Sequence, residues 1–471
     1  MISKTEPIKF GTDGWRAVIG DTYTCENIRR VSLATALHFK SHPKIKNGIV
    51  IGYDTRFMSS EFAHCSAEVF ASQKIKVYLT NSFVTTPAVS LLTRDKNLAF
   101  GVVITASHNP YKYNGFKLKD EYGGSMSPDE LRKVESYLKN IEDVENSMDI
   151  TELMDKKLVE YIDGKKYYIE NLKSKINIEI INKADLKVLY EAMYGAGQNN
   201  LNELIKVDQL HSIVNPYFEG GAPEPVEKNL KIACDTVKLG NYDICIVNDG
   251  DADRLAIIDE KGEFLDAQKT FVLLLKYLHG IKGWKGKVVR GFSASEIIKE
   301  YCEKYGLELI TVPVGFKYIS KIMIEDDVLI GAEESGGIGI KGHLPERDGI
   351  YNGLLYLEML ATTGKSITEL KKELNDEFGE YFYKRIDVHT TEEKKNETMQ
   401  KCRSLKAGDQ IGGKIIESID DLDGFKYFYD NGWITIRPSG TEPLLRFYCE
   451  TKGFNETLKI LETTIKNFGL K

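Results

Sequence analysis

Several features that would classify this chain quickly are scarce or missing. Its seven cysteines are an odd number, scattered through 471 residues with no C-x-x-C pair, so no disulfide framework or redox motif can be read from their spacing. Cys245, inside Ile244-Cys245-Ile246-Val247, reads as a small core residue. No apolar run approaches the length of a bilayer span. The opening Met-Ile-Ser-Lys-Thr-Glu-Pro lacks the apolar core of a signal peptide. The cytoplasm is therefore the expected compartment, no membrane partner is expected, and the N-x-T sequons at Asn396 and Asn455 carry little weight. An excess of positive charge is also missing. The 63 Lys and Arg face 70 Asp and Glu, for a net charge of −7, which argues against a nucleic-acid binder. An anionic ligand would have to be held by local cations rather than by the overall field. Gly195-Ala196-Gly197 is a lone G-x-G, too little for a nucleotide site.

What is present is an ordinary globular composition, 42% hydrophobic and 28% charged, in a chain long enough for three or four domains. Strand and helix patterns alternate. Gly48 to Gly52 and Lys76 to Thr80 read as strands around a helix over Ser59 to Ala71. Ser127-Pro128-Asp129-Glu130 opens another helix, with Ser as N-cap, Pro at N1 and Glu at N3. Asn140 to Lys156 is acidic and weakly patterned, as a linker would be. The alternation resumes from about 157 to 257 and again from about 258 to 374, closing on the capped helix at Ser366-Ile367-Thr368-Glu369. The last stretch differs: Asp423-Gly424 and Asn431-Gly432 are hairpin signals. They separate strands such as Phe425 to Tyr429 and Trp433 to Arg437, ahead of a final helix from about Asn455. The expected organisation is three α/β domains, 1–150, 151–257 and 258–374, and an α+β domain, 375–471.

The chemistry is concentrated in loops that follow apolar strands. Thr105-Ala106-Ser107-His108-Asn109-Pro110 comes directly after Ala99 to Ile104, which places Ser107 and His108 at a strand's carboxyl end, where open α/β sheets bind ligands. A serine hydroxyl needs a neighbouring base or cation to act as a nucleophile, and His108 and Lys117 of Asn114-Gly115-Phe116-Lys117 are the nearby candidates. Asp249-Gly250-Asp251-Ala252-Asp253-Arg254 puts three carboxylates at alternate positions, able to converge on one hard cation. Two rival readings exist for this loop. An EF-hand would use the three aspartates with Glu260 at position 12, but Arg254 occupies the position that needs glycine. A haloacid-dehalogenase-type phosphatase would use Asp249 as nucleophile, but its fifth residue should be Thr or Val rather than Asp253. In Arg437-Pro438-Ser439-Gly440-Thr441-Glu442-Pro443, with Arg446 following, a guanidinium fork, two hydroxyls and glycine-permitted amides suit a phosphate. Gly331-Ala332-Glu333-Glu334-Ser335-Gly336-Gly337 offers carboxylates and a hydroxyl suited to vicinal sugar hydroxyls, and Phe10-Gly11-Thr12-Asp13-Gly14-Trp15-Arg16 offers an arginine near the chain start.

Taken together, G-T-D-G-W-R, T-A-S-H-N-P with N-G-F-K, D-G-D-A-D-R, E-E-S-G and R-P-S-G-T-E-P resemble the α-D-phosphohexomutase family, in its order and spacing from Gly11 to Pro443. The resemblance implies three related α/β domains and a smaller α+β domain around a central active-site cleft. Ser107 would carry a phosphoryl group, and Asp249, Asp251 and Asp253 would bind Mg²⁺ together with a phosphoserine oxygen. Glu333 and Ser335 would bind sugar hydroxyls, and Arg437, Ser439, Gly440 and Thr441 the phosphate that does not react. Arg16, His108, Lys117, Arg254 and Arg290 would assist near the transferring group. The expected reaction interconverts glucose 1-phosphate and glucose 6-phosphate through glucose 1,6-bisphosphate, which also serves as activator. The Glu333-Glu334-Ser335-Gly336-Gly337 loop is similar to that of glucose-preferring members; in Val314-Gly315-Phe316-Lys317, Phe316 stands where phosphomannomutase-like members often have histidine, and the resemblance implies Lys317 as the sugar contact instead. Phosphomannomutase and phosphoglucosamine mutase are the enzymatic alternatives. A sugar-phosphate sensor on a degenerate scaffold is disfavoured by the intact serine, aspartates and clamp. The partners implied are hexose phosphates, with the chain a monomer or a homodimer.

Overall fold

Short β-branched runs too apolar to face water on either side form the centre of the first sheet. In the computed structural model, which describes residues 8–11, 13–144, 148–439 and 443–470, Ile49–Tyr53 (β2), Val77–Thr80 (β3) and Gly101–Ile104 (β4) are nearly all buried. Trp15–Val18 (β1) and Tyr113–Lys119 (β5) join on one side and Val159–Ile162 (β6) on the other, in the order β1-β5-β4-β2-β3-β6. The middle strands are parallel, whereas β5 runs antiparallel to both β4 and β1. Helices Ser59–Ser72 and Pro128–Leu138 lie where the patterns predicted them. The Ser127 hydroxyl accepts from the Glu130 N–H, the capping expected from Ser-Pro-Asp-Glu.

The acidic segment expected as a linker is not one throughout. Helix Ile150–Asp155 occupies its end, and β6 then pairs parallel with β3. The second alternation of strand and helix therefore starts after Ile162 rather than at 157: Leu158 and Val159 give the first sheet one more strand to cover β3, a pairing that local composition does not reveal.

The next sheet has the order β11-β10-β9-β7-β8 and is built from Val188–Glu191 (β7), Asp208–Leu210 (β8), Ile244–Asn248 (β9), Leu255–Asp259 (β10) and Phe264–Leu265 (β11). The strands β9 and β10 are antiparallel, with Asn248 opposite Leu255. The aspartate loop is thus the tip of a hairpin flanked by strands, and the helix–loop–helix that an EF-hand requires is absent. Cys245 is fully buried in β9, as expected. Further along, Lys287–Gly291 (β12) pairs parallel with Leu309–Val312 (β13). Val328–Ala332 (β14) forms a hairpin with Ile338–Ile340 (β15).

The C-terminal part is α+β. It contains Phe382–His389 (β16), the small pair Gln410–Ile411 (β17) and Lys414–Ile415 (β18), and then Ser418–Asp420 (β19), Phe425–Tyr429 (β20), Gly432–Pro438 (β21) and Leu444–Thr451 (β22). The larger sheet is fully antiparallel, ordered β16-β22-β21-β20-β19. Asn431, at the β20–β21 turn, has a φ of 62°, the left-handed geometry its Asn-Gly signal called for. Helix Phe454–Asn467 buries Ile460, Leu461 and Ile465 in the core with Phe447 and Ile436.

The chain forms two units: residues 1–267 with 315–367, and residues 268–314 with 368–471. Among the described residues no helix is long and apolar enough to cross a membrane.

One glycine controls how closely the first-sheet strands can converge. A Cβ on Gly115 would lie 2.4 Å from the Thr105 carbonyl oxygen and 2.9 Å from that of Trp15. Only a bare backbone lets β1, β5 and the Thr105 loop meet. Gly115→Ala is expected to cost about 1–3 kcal/mol through forced spreading, read as a lower unfolding midpoint in calorimetry.

Candidate active site

The turn after β4 holds Ser107 in the left-handed region, with φ 52°, and almost fully buried. Its Oγ donates to Asp249 Oδ2 at 2.8 Å and lies 3.3 Å from His108 Nδ1. Burial, then the charges of Arg254, Arg16, Lys117 and Arg56, hold the His108 pKa well below the usual imidazole value. The ring is therefore neutral at physiological pH.

The β9–β10 hairpin presents Asp249, Asp251 and Asp253, all fully buried, with ligand oxygens within 4.8 Å of one another. Burial and the two neighbouring carboxylates push Asp249 well above the ordinary carboxyl range. Asp251 is also pushed up by burial, but Lys117 and Thr86 outweigh this and hold it low. Lys117 Nζ donates to Asp251 Oδ2 at 2.8 Å, and Thr86 Oγ1 donates to the same oxygen at 2.6 Å. Asp251 Oδ1 and both oxygens of Asp253 are buried without a hydrogen-bond partner, Asp253 Oδ2 meeting its cations only as ion pairs. Three converging carboxylates with unused oxygens and no sulfur or nitrogen donors fit a hard divalent cation such as Mg²⁺.

Two cations hold this acidic loop. Lys117, on β5, is 2.8 Å from Asp13 Oδ2 and 3.5 Å from Asp253 Oδ2 as well as bonded to Asp251. Arg347 Nη2 is 2.7 Å from Asp253 Oδ2 and 3.0 Å from Asp13 Oδ2, and its Nη1 is 3.4 Å from Glu333 Oε2. Burial alone would lower the Lys117 pKa, but Asp13, Asp251 and Asp253 raise it overall. Lys117 is therefore a cation here rather than a free base.

Glu333 begins the tight β14–β15 turn. Its N–H donates to the Gly337 carbonyl, and the Gly336 N–H donates back to the Glu333 carbonyl. Gly337 is required beside Arg347, because a Cβ there would fall 2.3 Å from the arginine Cδ. Leu255, at the end of the aspartate hairpin, donates its N–H to the Gly336 carbonyl, so the sugar-type and aspartate loops are joined. Burial raises the Glu333 pKa to about 7, with Arg347 opposing the shift.

Of the other expected residues, Arg16 reaches the serine loop through Asn109 Oδ1 at 2.6 Å. Arg254 has its Nε 3.9 Å from Asp249 Oδ2, and that Nε is buried without a hydrogen-bond partner. Ser335 is half-buried in the turn with Glu333. Lys317 lies at the start of helix Phe316–Glu325, its ammonium 5.2 Å from the Tyr318 ring centre. Arg290 departs from expectation. It is buried on β12, where its guanidinium bonds the Ser295 carbonyl, Glu296 and Thr311. These partners commit it to the scaffold of the second unit.

In that second unit, Arg437 on β21 stands directly opposite Arg446 on β22. Its Nε donates to Asp423 Oδ2 at 2.8 Å, while Arg446 Nε is buried without a partner. Like charges paired across strands are unfavourable, which suits a site that receives an anion. Buried Ser439 accepts from Lys395 Nζ through its carbonyl at 3.3 Å. Gly440 and Thr441 lie outside the described residues.

Sequence reading passed over three contributors. Asp13 stands in the same Gly11-to-Arg16 motif as Arg16. Thr86 gave no motif signal. Arg347 sits in Pro345-Glu346-Arg347-Asp348-Gly349, a charged run before helix Gly349–Thr363 that could have been singled out. Next to it, Glu346 forms a fully buried pair with Lys119 at 2.6 Å. Gly195-Ala196-Gly197 is a packing element, since the Ala196 N–H donates to the Gly250 carbonyl beneath the aspartate loop.

In the first unit a strained serine turn meets a buried carboxylate hairpin suited to a hard cation, the kind of site used for phosphoryl transfer. Comparison with known proteins specifies it. The phosphoglucomutase/phosphomannomutase α/β/α domains I, II and III match residues 7–145, 166–262 and 266–378, and the C-terminal domain of the same family matches 386–465. The chain belongs to the phosphoglucomutase/phosphomannomutase family, with three α/β domains and a C-terminal domain. It is 30% identical to a phosphoglucomutase/phosphomannomutase of Thermococcus kodakarensis, over 97% of each chain. It is 31% identical to a phosphoglucosamine mutase of Methanococcus maripaludis, again over 97% of each. A crystal structure from Thermus thermophilus, provisionally named a phosphomannomutase, superposes with a TM-score of 0.86 at 30% identity, covering 99% of this chain and 100% of that one.

The shared arginine yields a test. Carboxyl titration followed by isotope-edited infrared spectroscopy should place Glu333 near 7. Arg347→Met should move that midpoint upward, because the cation that favours the ionised form is gone. A midpoint that stays put or falls would show that Arg347 does not govern Glu333.

Proposed function

We propose that the chain interconverts hexose 1-phosphates and 6-phosphates, with glucose the preferred sugar, and that Ser107 carries the migrating phosphoryl group. The observation that supports this most strongly is the 2.8 Å hydrogen bond from Ser107 Oγ to a buried three-aspartate hairpin. A phosphoryl group on Ser107 would then lie beside the aspartate loop, with Lys117 and Arg16 as local cations.

In the first half-reaction a sugar hydroxyl oxygen attacks phosphorus and gives up its proton, the bond from phosphorus to Ser107 Oγ breaks, and the serine oxygen takes up a proton in exchange. The product is the hexose 1,6-bisphosphate. After it turns over, Ser107 Oγ takes the other phosphoryl group, and the sugar oxygen it leaves regains a proton. His108, neutral and 3.3 Å from Ser107 Oγ, is the better-suited proton acceptor, since Lys117 is already charged. A bound Mg²⁺ would be held by Asp249, Asp251 and Asp253 and would spread the phosphoryl charge. Arg437, Ser439 and Arg446 serve as the clamp for the phosphate that stays, and Gly440 and Thr441 are assigned with them from the motif. Glu333 and Ser335 read the sugar hydroxyls, with Lys317 and Arg254 contributing to substrate binding.

A second reading, on glucosamine phosphate, is supported by relatives named phosphoglucosamine mutases at 31% identity and a phosphoglucosamine/phosphogalactosamine mutase of Sulfurisphaera tokodaii at 28%.

Incubation with glucose 1,6-bisphosphate should add one phosphate to the intact mass, and Ser107→Ala should abolish it. Labelling that persists in Ser107→Ala would move the carrier to Asp249. Side by side, glucose 1-phosphate should exceed mannose 1-phosphate in kcat/KM by about tenfold or more. Turnover confined to glucosamine phosphate would replace the glucose reading with the second one. For the clamp, loss of a charge-assisted bond is worth roughly 1.5–3 kcal/mol, so Arg437→Ala should lower kcat/KM at least about tenfold, and Arg437→Lys should recover part of it. A defect in kcat alone would place Arg437 at the moving phosphate instead.

A further inference from the structure

The shape of the Ser107 turn is accounted for by a residue outside every motif discussed so far. Arg56 follows β2 in Asp54-Thr55-Arg56, and its side chain is completely buried, as is that of Asp54. All the directions of its guanidinium are used. Nε donates to Asp54 Oδ2 at 3.1 Å. Nη1 donates to the carbonyls of Pro110 and Tyr113 at 3.1 and 3.0 Å. Nη2 donates to those of Ser107 and Asn109 at 2.5 and 2.7 Å. Four carbonyls within seven residues of chain are thus gathered around one cation. The Phe218 ring caps the guanidinium at 5.0 Å.

Asp54 grips the same turn from its other end. It accepts from Thr105 Oγ1 at 2.6 Å, and that oxygen accepts the Ser107 N–H at 2.9 Å. Both peptide groups of Ser107 are therefore tied, directly or through one side chain, to the Asp54–Arg56 pair. A non-glycine residue stays in the left-handed region only when its surroundings impose it, and this pair supplies the constraint. A lysine could not reproduce it, because an ammonium has three donors and no planar fork.

We propose that Arg56 is a positioning residue for phosphoryl transfer, holding Ser107 Oγ toward Asp249 by fixing four carbonyls of its turn. This rests on Ser107 being the phosphoryl carrier. With its side chain completely buried and its donors spent on protein acceptors, Arg56 has none left for sugar or phosphate, so its removal should slow the chemistry and spare substrate affinity.

The test uses the full chain with Mg²⁺. Quench-flow intact mass follows phosphorylation of Ser107 by glucose 1,6-bisphosphate in the parent, Arg56→Lys and Thr105→Val, alongside steady-state kinetics, unfolding midpoints and the ³¹P resonance of the phosphoserine. In Arg56→Lys the phosphorylation rate and kcat should fall together, at least about tenfold, as expected for a misplaced reacting atom. KM should change by less than about threefold, and the ³¹P resonance should shift. Thr105→Val, which keeps its shape, should move the same readouts by a smaller factor and keeps the proposal testable if Arg56→Lys fails to fold. Either folded variant phosphorylating Ser107 at the parent rate would overturn the proposal, as would a loss seen only as raised KM. Failure of the parent to label on Ser107 would instead refute the carrier assignment on which the proposal rests.

Discussion

The first unit depends on neutralising buried carboxylates. Asp13, Asp249, Asp251, Asp253, Glu333 and Glu346 crowd together from four stretches of chain, and a buried charge without a partner costs several kcal/mol. Lys117, Lys119, Arg254 and Arg347 supply the opposing charge at hydrogen-bond or ion-pair distance. The strand carrying Lys117 and Lys119 must therefore lie against the aspartate hairpin, and the run carrying Glu346 and Arg347 must close over it. The balance is incomplete: three carboxylate oxygens, Asp251 Oδ1 and both of Asp253, have no hydrogen-bond partner, and a divalent cation is the chemistry that fits them.

Sharing of partners links the Glu333 turn to this centre. Arg347 contacts Asp253, which belongs to the carboxylate hairpin, and Glu333, which heads the sugar-type turn. The backbone bond between Leu255 and Gly336 joins the same two loops. Glu333 and Asp253 therefore share one cation, and the charge of either bears on the other through Arg347. Within the second unit the logic is inverted. Two arginines face each other across a strand pair, with Asp423 on Arg437 and Asp387, itself bonded by Arg385, in register with Arg446; the remaining excess of positive charge suits an anion from outside the chain.

Much of this was legible in the sequence because it is local. Turn chemistry identified the hairpins at Asn431-Gly432, capping identified helix Pro128–Leu138, and apolar runs placed Ser107 and Asp249 at strand ends. The five motifs specified the family because each keeps its chemistry within a few residues. Their order also implied the three α/β domains and the α+β domain.

What only the tertiary structure decided involves partners far apart in the chain. Only folding shows that the fork of Arg290 is spent on Ser295, Glu296 and Thr311 while that of Arg347 reaches Asp13 and Asp253. Strand β6 joined the first sheet because β3 offered an open edge, which composition cannot show. The charge states of His108, Lys117 and Glu333 follow from burial and from ions contributed by other strands. The sequence by itself determined which chemical groups this protein possesses and the turns that display them. The fold determined which of those groups are desolvated together, since electrostatic energy depends on distance and dielectric in space rather than on separation along the chain.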